Sequence, residues 1–154
     1  MISGGIPIEI GKLSSLRQLY MNGNRLSRNI PHSIGNMTEL FELRLDGNNL
    51  EGTIPSTLWN CVHLQVLNLS QNNLKGTIPK EVIGLSSLSK SVNLARSSLS
   101  GALPPKVGNL KNLKGFDVSE NRLSGNIPST LGNCLSLEHL FTRATCSKEQ
   151  FLEV

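Results

Sequence analysis

The chain has 154 residues, enough for one domain with a core of its own, and a scarcity of aromatic side chains that leaves aliphatic residues to fill it. Its net charge of +4 comes from 15 Lys and Arg against 11 Asp and Glu. The basic residues are scattered from Lys12 to Lys148, with no patch of the kind a nucleic acid requires.

The chain opens without a basic n-region or an apolar h-region in Met1 to Gly5, so no signal peptide is expected in it. No apolar run approaches the roughly 18–20 residues that would span a bilayer. From Ile2 to Ser15 it reads as the back half of a unit whose full form follows later. Ile2, Gly4, Ile6-Pro7, Ile10-Gly11 and Leu13 match Leu50, Gly52, Ile54-Pro55, Leu58-Trp59 and Cys61. The unit Leu16 to Glu39 keeps Leu19, Met21, Asn24, Leu26 and Ile30-Pro31, with Arg28 where the others have glycine. The next, Leu40 to His63, is the clearest copy: Leu40, Leu43, Leu45, Asn48 and Leu50, then Gly52, Ile54-Pro55 and Leu58.

Leu64 to Ser87 repeats the theme with Asn72 and Ile78-Pro79, but has Ile83 in the place of Gly35. Leu88 to Asn112 is one residue longer and carries Ser97 where the Asn is due. Leu113 to Ser136 is nearly complete, with Phe116, Val118, Asn121, Leu123 and Ile127-Pro128. A last copy starts at Leu137 and Leu140 and fails at Thr142 and Thr145, and residues 146–154 have no repeat character. Pro7, Pro31, Pro55, Pro79, Pro104 and Pro128 recur every 24 residues with one step of 25. A repeat array over residues 1–145 is therefore expected: a partial unit 1–15, five full units 16–136, an incomplete unit 137–145 and a tail 146–154.

The pattern L-x-x-L-x-L-x-x-N-x-L is the leucine-rich repeat signature, and it predicts an α/β solenoid. In an extended segment Leu43 and Leu45 point to one side and Glu42, Arg44 and Asp46 to the other. One such strand cannot bury its leucines alone, so the units stack as a right-handed coil. A parallel β-sheet is expected on the concave face, with 3-10 or short helical turns on the convex side. Asn24, Asn48, Asn72 and Asn121 follow the strand where the backbone bends, and an amide there can satisfy freed backbone groups. Ser97 can do only part of this, so a weaker spot is expected near it. Each Ile-Pro leads into a turn that Gly11, Gly35, Gly108 or Gly132 is expected to stop. The turns carrying Trp59 and Ile83 are expected to end differently.

The outward strand positions form columns, and the candidate binding face is Tyr20, Glu42, Arg44, Asp46, Asn68, Asn93, Arg96, Asp117 and Glu120. Such faces are extended binding surfaces, though a polar strand face can also be merely solvated. Asn36 and Asn68 begin N-x-Ser/Thr sequons and are candidate glycosylation sites. His32, His63 and His139 lie at unrelated phases, and no catalytic, phosphate-binding or metal-ligating motif is present. No enzyme and no cofactor are expected. Cys61 and Cys134 share one phase of two units and read as small buried side chains.

The extended pattern, continued as x-G-x-I-P-x-x-L-G-x-L from Ile2 to Leu140, resembles the plant-specific leucine-rich repeats. It is most similar to ectodomains of plant receptor-like serine/threonine kinases, in the branch that includes immune pattern-recognition receptors, above all over Leu99 to Leu137. The resemblance implies an extracellular, membrane-tethered receptor with signal peptide, paired-Cys caps, one transmembrane helix and a kinase. It implies a peptide or microbial ligand, a co-receptor kinase as partner, and a role in defence or development. None of those flanking parts lies in this chain, which reads as a piece of such a receptor. The alternative is a free-standing secreted repeat protein that acts as inhibitor or decoy.

Overall fold

The computed structural model describes residues 1–144; Thr145, Cys146 and the tail lie outside the described residues. Six short strands, Gln18–Tyr20, Glu42–Arg44, Val66–Asn68, Ser91–Asn93, Gly115–Asp117 and His139–Phe141, form one parallel sheet in chain order. Leu19, Leu43, Leu67, Val92, Phe116 and Leu140 stand in register across it. The middle members of this row are fully buried, because each packs on its counterparts above and below. Leu140, at the open end of the row, is 40% exposed.

A second set of parallel strands was not foreseen from the pattern. Ser3–Gly5, Arg25–Asn29, Asn49–Gly52, Asn73–Gly76, Ser98–Gly101 and Arg122–Leu123 pair in the order of the chain. The four inner ones each contribute one buried aliphatic, Leu26, Leu50, Leu74 and Leu99. The glycine at the end of these segments has positive φ at Gly52, Gly76, Gly101 and Gly125, and Arg28 accepts φ 65° in its stead. That conformation is costly for a side-chain-bearing residue, which is why the motif prefers glycine there.

The convex side carries 3-10 turns at Ile8–Lys12, His32–Asn36, Ser56–Asn60, Pro105–Asn109 and Ser129–Asn133, each entered from an extended proline. Two expectations about these turns are corrected. Gly11, Gly35 and Gly108 are not in the left-handed region. They are needed because the next coil passes too close: a Cβ on Gly35 would lie 2.3 Å from Thr57 O, and on Gly11 2.4 Å from Ser33 O. The approaching residue in turn donates its hydroxyl across the gap. Ser33 bonds Ile8 O, Thr57 bonds His32 O and Thr130 bonds Pro105 O, each at 2.6 Å.

Trp59 also belies its expectation. Its turn, Ser56–Asn60, ends like its neighbours, with Cys61 at φ −79°. The next unit accommodates it, carrying Glu81 in place of the Ser or Thr and folding Lys80–Ile83 as an α-helical turn. Ile83 does sit in a turn of different shape, and the unit after it again lacks the hydroxyl, with Lys106 there. Glycine and hydroxyl thus occur as a pair spanning two units.

The Asn row ties the units together. Asn72 donates to Leu69 O and Ser70 O within its own loop and to Leu45 O of the preceding unit, and it accepts from Leu50 N. Asn48 and Asn121 bond in the same way. Ser97 has one bond of 3.3 Å to Asn72 O. Cys61 and Cys134 fill core positions as free thiols that donate to Ile34 O and Val107 O. Burial pushes the Cys61 thiol up to about 11, and it packs as a small apolar side chain.

Two stability tests follow from this stacking. Asn72→Ala leaves several buried backbone groups without partners at about 1–3 kcal/mol each, so urea unfolding should show a loss of about 3 kcal/mol or more. Asn24→Ala, at the exposed end of the row, should cost under about 1 kcal/mol. Gly35→Ala should cost about 2–3 kcal/mol by overpacking against Thr57. Gly132→Ala, at the same motif position with nothing within 4 Å of the added carbon, should change stability by less than about 0.5 kcal/mol. Equal effects of the two glycine changes would disprove the packing explanation.

Candidate functional site

Strand alternation puts Leu43 and Leu45 into the core and turns the side chains between and beside them outward. Register then stacks the outward residues into columns. One column runs Tyr20, Arg44, Asn68, Asn93, Asp117 and Phe141 along neighbouring strands. It holds five of the nine sequence candidates for the binding face.

At the N-terminal end of that column three candidates form one network. The Tyr20 hydroxyl donates to Glu42 Oε2 at 2.5 Å, and Arg44 Nε donates to Glu42 Oε1 at 2.6 Å. The Arg44 guanidinium also lies 5.7 Å from the centre of the Tyr20 ring. Together they cover Glu42, which is buried although it points to the outward side of the sheet. Both its oxygens are engaged, so Glu42 positions Tyr20 and Arg44 and is not itself open to a ligand. The Tyr20 hydroxyl, helped by Arg44, holds the Glu42 carboxyl below its ordinary value of 4.5. The same hydrogen bond to Glu42 pushes the Tyr20 phenol up. Asp46 stands nearby, and its Oδ1 is buried with no partner among the described residues.

Farther along, the column passes from two amides to a carboxylate, each locally ordered. Asn68 Oδ1 accepts from Ser70 N and Ser70 Oγ, and Asn93 Oδ1 accepts from Ala95 N. Asp117 Oδ1 accepts from Ser119 N and Ser119 Oγ. Arg96 and Glu120 lie on the flank instead, paired at 3.2 Å and both left-handed, at the positions where earlier units have Gly23 and Gly47. Of the two sequons, Asn36 is exposed at the last position of its 3-10 turn and Asn68 is half-buried on the sheet.

Three features escaped the sequence reading. Lys90 lies 4.8 Å over the Phe41 ring, one position before the strands, and extending the columns by one residue would have shown it. His139 and Phe141 stack at 6.4 Å at the C-terminal end of the sheet. Trp59 stands 55% exposed on the convex side, in the slot that glycine fills elsewhere. An open hollow of about 710 Å³ at the C-terminal end is walled by Ile127, Pro128, Leu131, Leu137 and Leu140. Among the described residues no titratable side chain lines it, and its walls are the end of the aliphatic stack.

Among the described residues no cluster of three or more His, Cys, Asp or Glu could hold a metal, and no helix is long and apolar enough to cross a membrane. The geometry can present donors, acceptors and rings to a partner over a long face. Among the described residues it pairs no nucleophile with a base.

The network carries a pH signature. Because the native Glu42 carboxyl titrates below 4.5, its contribution to stability is complete above that value and is lost as pH falls through the lower native one. Urea midpoints should therefore fall less steeply between about pH 5 and about pH 3 in Glu42→Gln than in the parent chain. Parallel profiles would remove Glu42 from the acid response.

The model of the Leucine Rich Repeat family matches residues 15–37, 39–61, 63–85 and 112–134, skipping the longer unit that holds Ser97. No curated protein matches the chain. Among solved structures it is similar to the ectodomain of the plant membrane receptor kinase GASSHO1/SCHENGEN3 from Arabidopsis thaliana, solved with CASPARIAN STRIP INTEGRITY FACTOR 2. That match has 34% identity and a TM-score of 0.89, and it covers 92% of this chain and 17% of the ectodomain. The Arabidopsis receptor kinase HAESA, solved with the peptide hormone IDA and the co-receptor SERK1, matches at 36% identity and TM-score 0.62, over 91% of this chain and 27% of HAESA. A plant ice-binding protein matches at 33% identity and TM-score 0.74, over 83% of this chain and 41% of that protein. The chain thus spans about a sixth of the GASSHO1/SCHENGEN3 ectodomain and about a quarter of HAESA. Its neighbours include receptor ectodomains solved with ligands, a non-catalytic module.

Proposed function

Since the chain belongs to the leucine-rich repeat family, we propose that it is a segment of a plant receptor-kinase ectodomain that binds a peptide or protein on its strand face. The observation that carries this reading is the unbroken outward column from Tyr20 to Phe141. It joins six registered strands without a catalytic cluster. Extended faces of this kind suit extended partners, because one strand step of about 4.8 Å is close to one and a half residues of stretched chain. The ligand-bound receptors GASSHO1/SCHENGEN3 and HAESA support it.

In this reading the repeat array works outside the cell as part of a longer membrane receptor, with a co-receptor kinase as a further partner and a role in defence or development. Asn36 is the more open glycan acceptor of the two sequons, since Asn68 is half-buried on the binding face. The resemblance to a plant ice-binding protein supports a second reading. In that second reading this chain is a free-standing secreted protein that uses the same face as an inhibitor or decoy.

Random linear nonapeptides displayed and selected on the full chain test the shared premise. Selected peptides should bind with micromolar or tighter Kd by calorimetry. They should bind Ser91→Arg, which plants a bulky cation in the middle of the face and leaves the core alone, at least tenfold more weakly, about 1.4 kcal/mol. Failure to select any peptide over an unfolded control, or indifference to Ser91→Arg, would reject binding on this face.

A further inference from the structure

Each amide in the middle of the outward column has its two ends assigned by the local backbone. A backbone N–H can only donate, so the oxygen of Asn68 must face Ser70 N and the oxygen of Asn93 must face Ala95 N. The Nδ2 groups of Asn68 and Asn93 are thereby turned away from the loop. Among the described residues they have no hydrogen-bond partner, yet they are not among the buried unpartnered atoms, so water reaches them. Asp117 repeats the arrangement with a carboxylate: Oδ1 is taken by Ser119, and Oδ2 stands where the two amides present nitrogen. Asn68 pairs with Asn93 in register, and Asn93 with Asp117. The face therefore shows donor, donor and anionic acceptor in sequence, held by the backbone before any ligand arrives.

We propose that Asn68, Asn93 and Asp117 form a polarity-reading rail for an extended peptide. The Asn68 and Asn93 amides donate to main-chain carbonyls of the peptide, and Asp117 pairs with a Lys or Arg side chain or an N-terminal ammonium. The proposal rests on the peptide-binding reading above and adds to it a ligand chemistry and an orientation. Two strand steps separate Asn68 from Asp117, about 9.6 Å, which an extended chain covers in roughly three residues. The cation therefore belongs about three residues from the carbonyl that Asn68 reads. Pre-orientation matters energetically, because the side chains lose little further freedom on binding and their backbone bonds need not be broken. The flank is closed to the same role, since Arg96 and Glu120 neutralise each other.

Asp117 also supplies the means of testing the rail, because it shows that a carboxylate makes the same local bonds as the amide. Asn68→Asp and Asn93→Asp keep Oδ1 on Ser70 and Ala95 and replace the outward donor by an acceptor. Asp117→Asn does the reverse. All three should therefore melt within a few degrees of the parent chain. Nonapeptides selected on the full chain should carry a basic residue or a free N-terminus at constant spacing. They should bind Asn68→Asp and Asn93→Asp about tenfold more weakly. The loss should persist in 1 M NaCl, where the screening length falls to about 3 Å and leaves the donor-to-acceptor change as its cause. Asp117→Asn should weaken basic peptides and spare versions with the cation changed to Gln. If selected peptides lose affinity for Ser91→Arg but bind the three variants as well as the parent, the rail is wrong and binding on the face stands. If no peptide is selected at all, the rail and the binding reading fall together.

Discussion

The rest of the structure depends on a row of buried amides, one in each of three coils. The chain must turn sharply after every short strand, and that turn would strand backbone groups in an aliphatic interior. Asn48, Asn72 and Asn121 resolve this by bonding their own loop and the preceding unit at once. The same bonds fix the pitch between coils, and with it the register of the sheet. Everything on the outward face inherits that register. Tyr20 can reach Glu42, and Asn68 can align with Asn93 and Asp117, because the interior spaces the strands evenly. Stability and recognition are in this sense one problem.

On the convex side a second constraint operates. Successive turns approach so closely that a methyl group is too large at Gly11 and Gly35, and a hydroxyl from the next unit closes the gap. Where the glycine is replaced, the hydroxyl partner is replaced with it, as at Trp59 with Glu81 and at Ile83 with Lys106. The coil spreads its adjustments over two units, so the strand side keeps its spacing through Leu88 to Asn112, the longer unit that also holds Ser97.

The repeat period, the inward leucines and the bonding role of the Asn row were legible in the sequence because each depends on spacing alone. The second set of strands was not, since segments such as Asn49–Gly52 bury one side chain and are too short to show a period. The role of Gly35 was misread because close approach to Thr57 involves a neighbour in space, and a single-unit reading offers backbone freedom as the nearer explanation. The columns of the candidate site could be written from the period, but their chemistry could not. Glu42 counts as an exposed carboxylate in sequence and is enclosed by Tyr20 and Arg44 in the fold. The orientation of the Asn68 and Asn93 amides depends on individual backbone donors that no spacing rule reveals.

The central claim is that the registered strand face, and not the convex turns, is where a partner is read. Backbone amide NMR of the labelled chain titrated with a selected nonapeptide measures this directly. The account predicts perturbed resonances on contiguous strands, around Arg44, Asn68, Asn93 and Asp117, with the turns Ser56–Asn60 and Ser129–Asn133 unmoved. Perturbations centred instead on Trp59 and its turn would contradict it and transfer recognition to the opposite side of the coil.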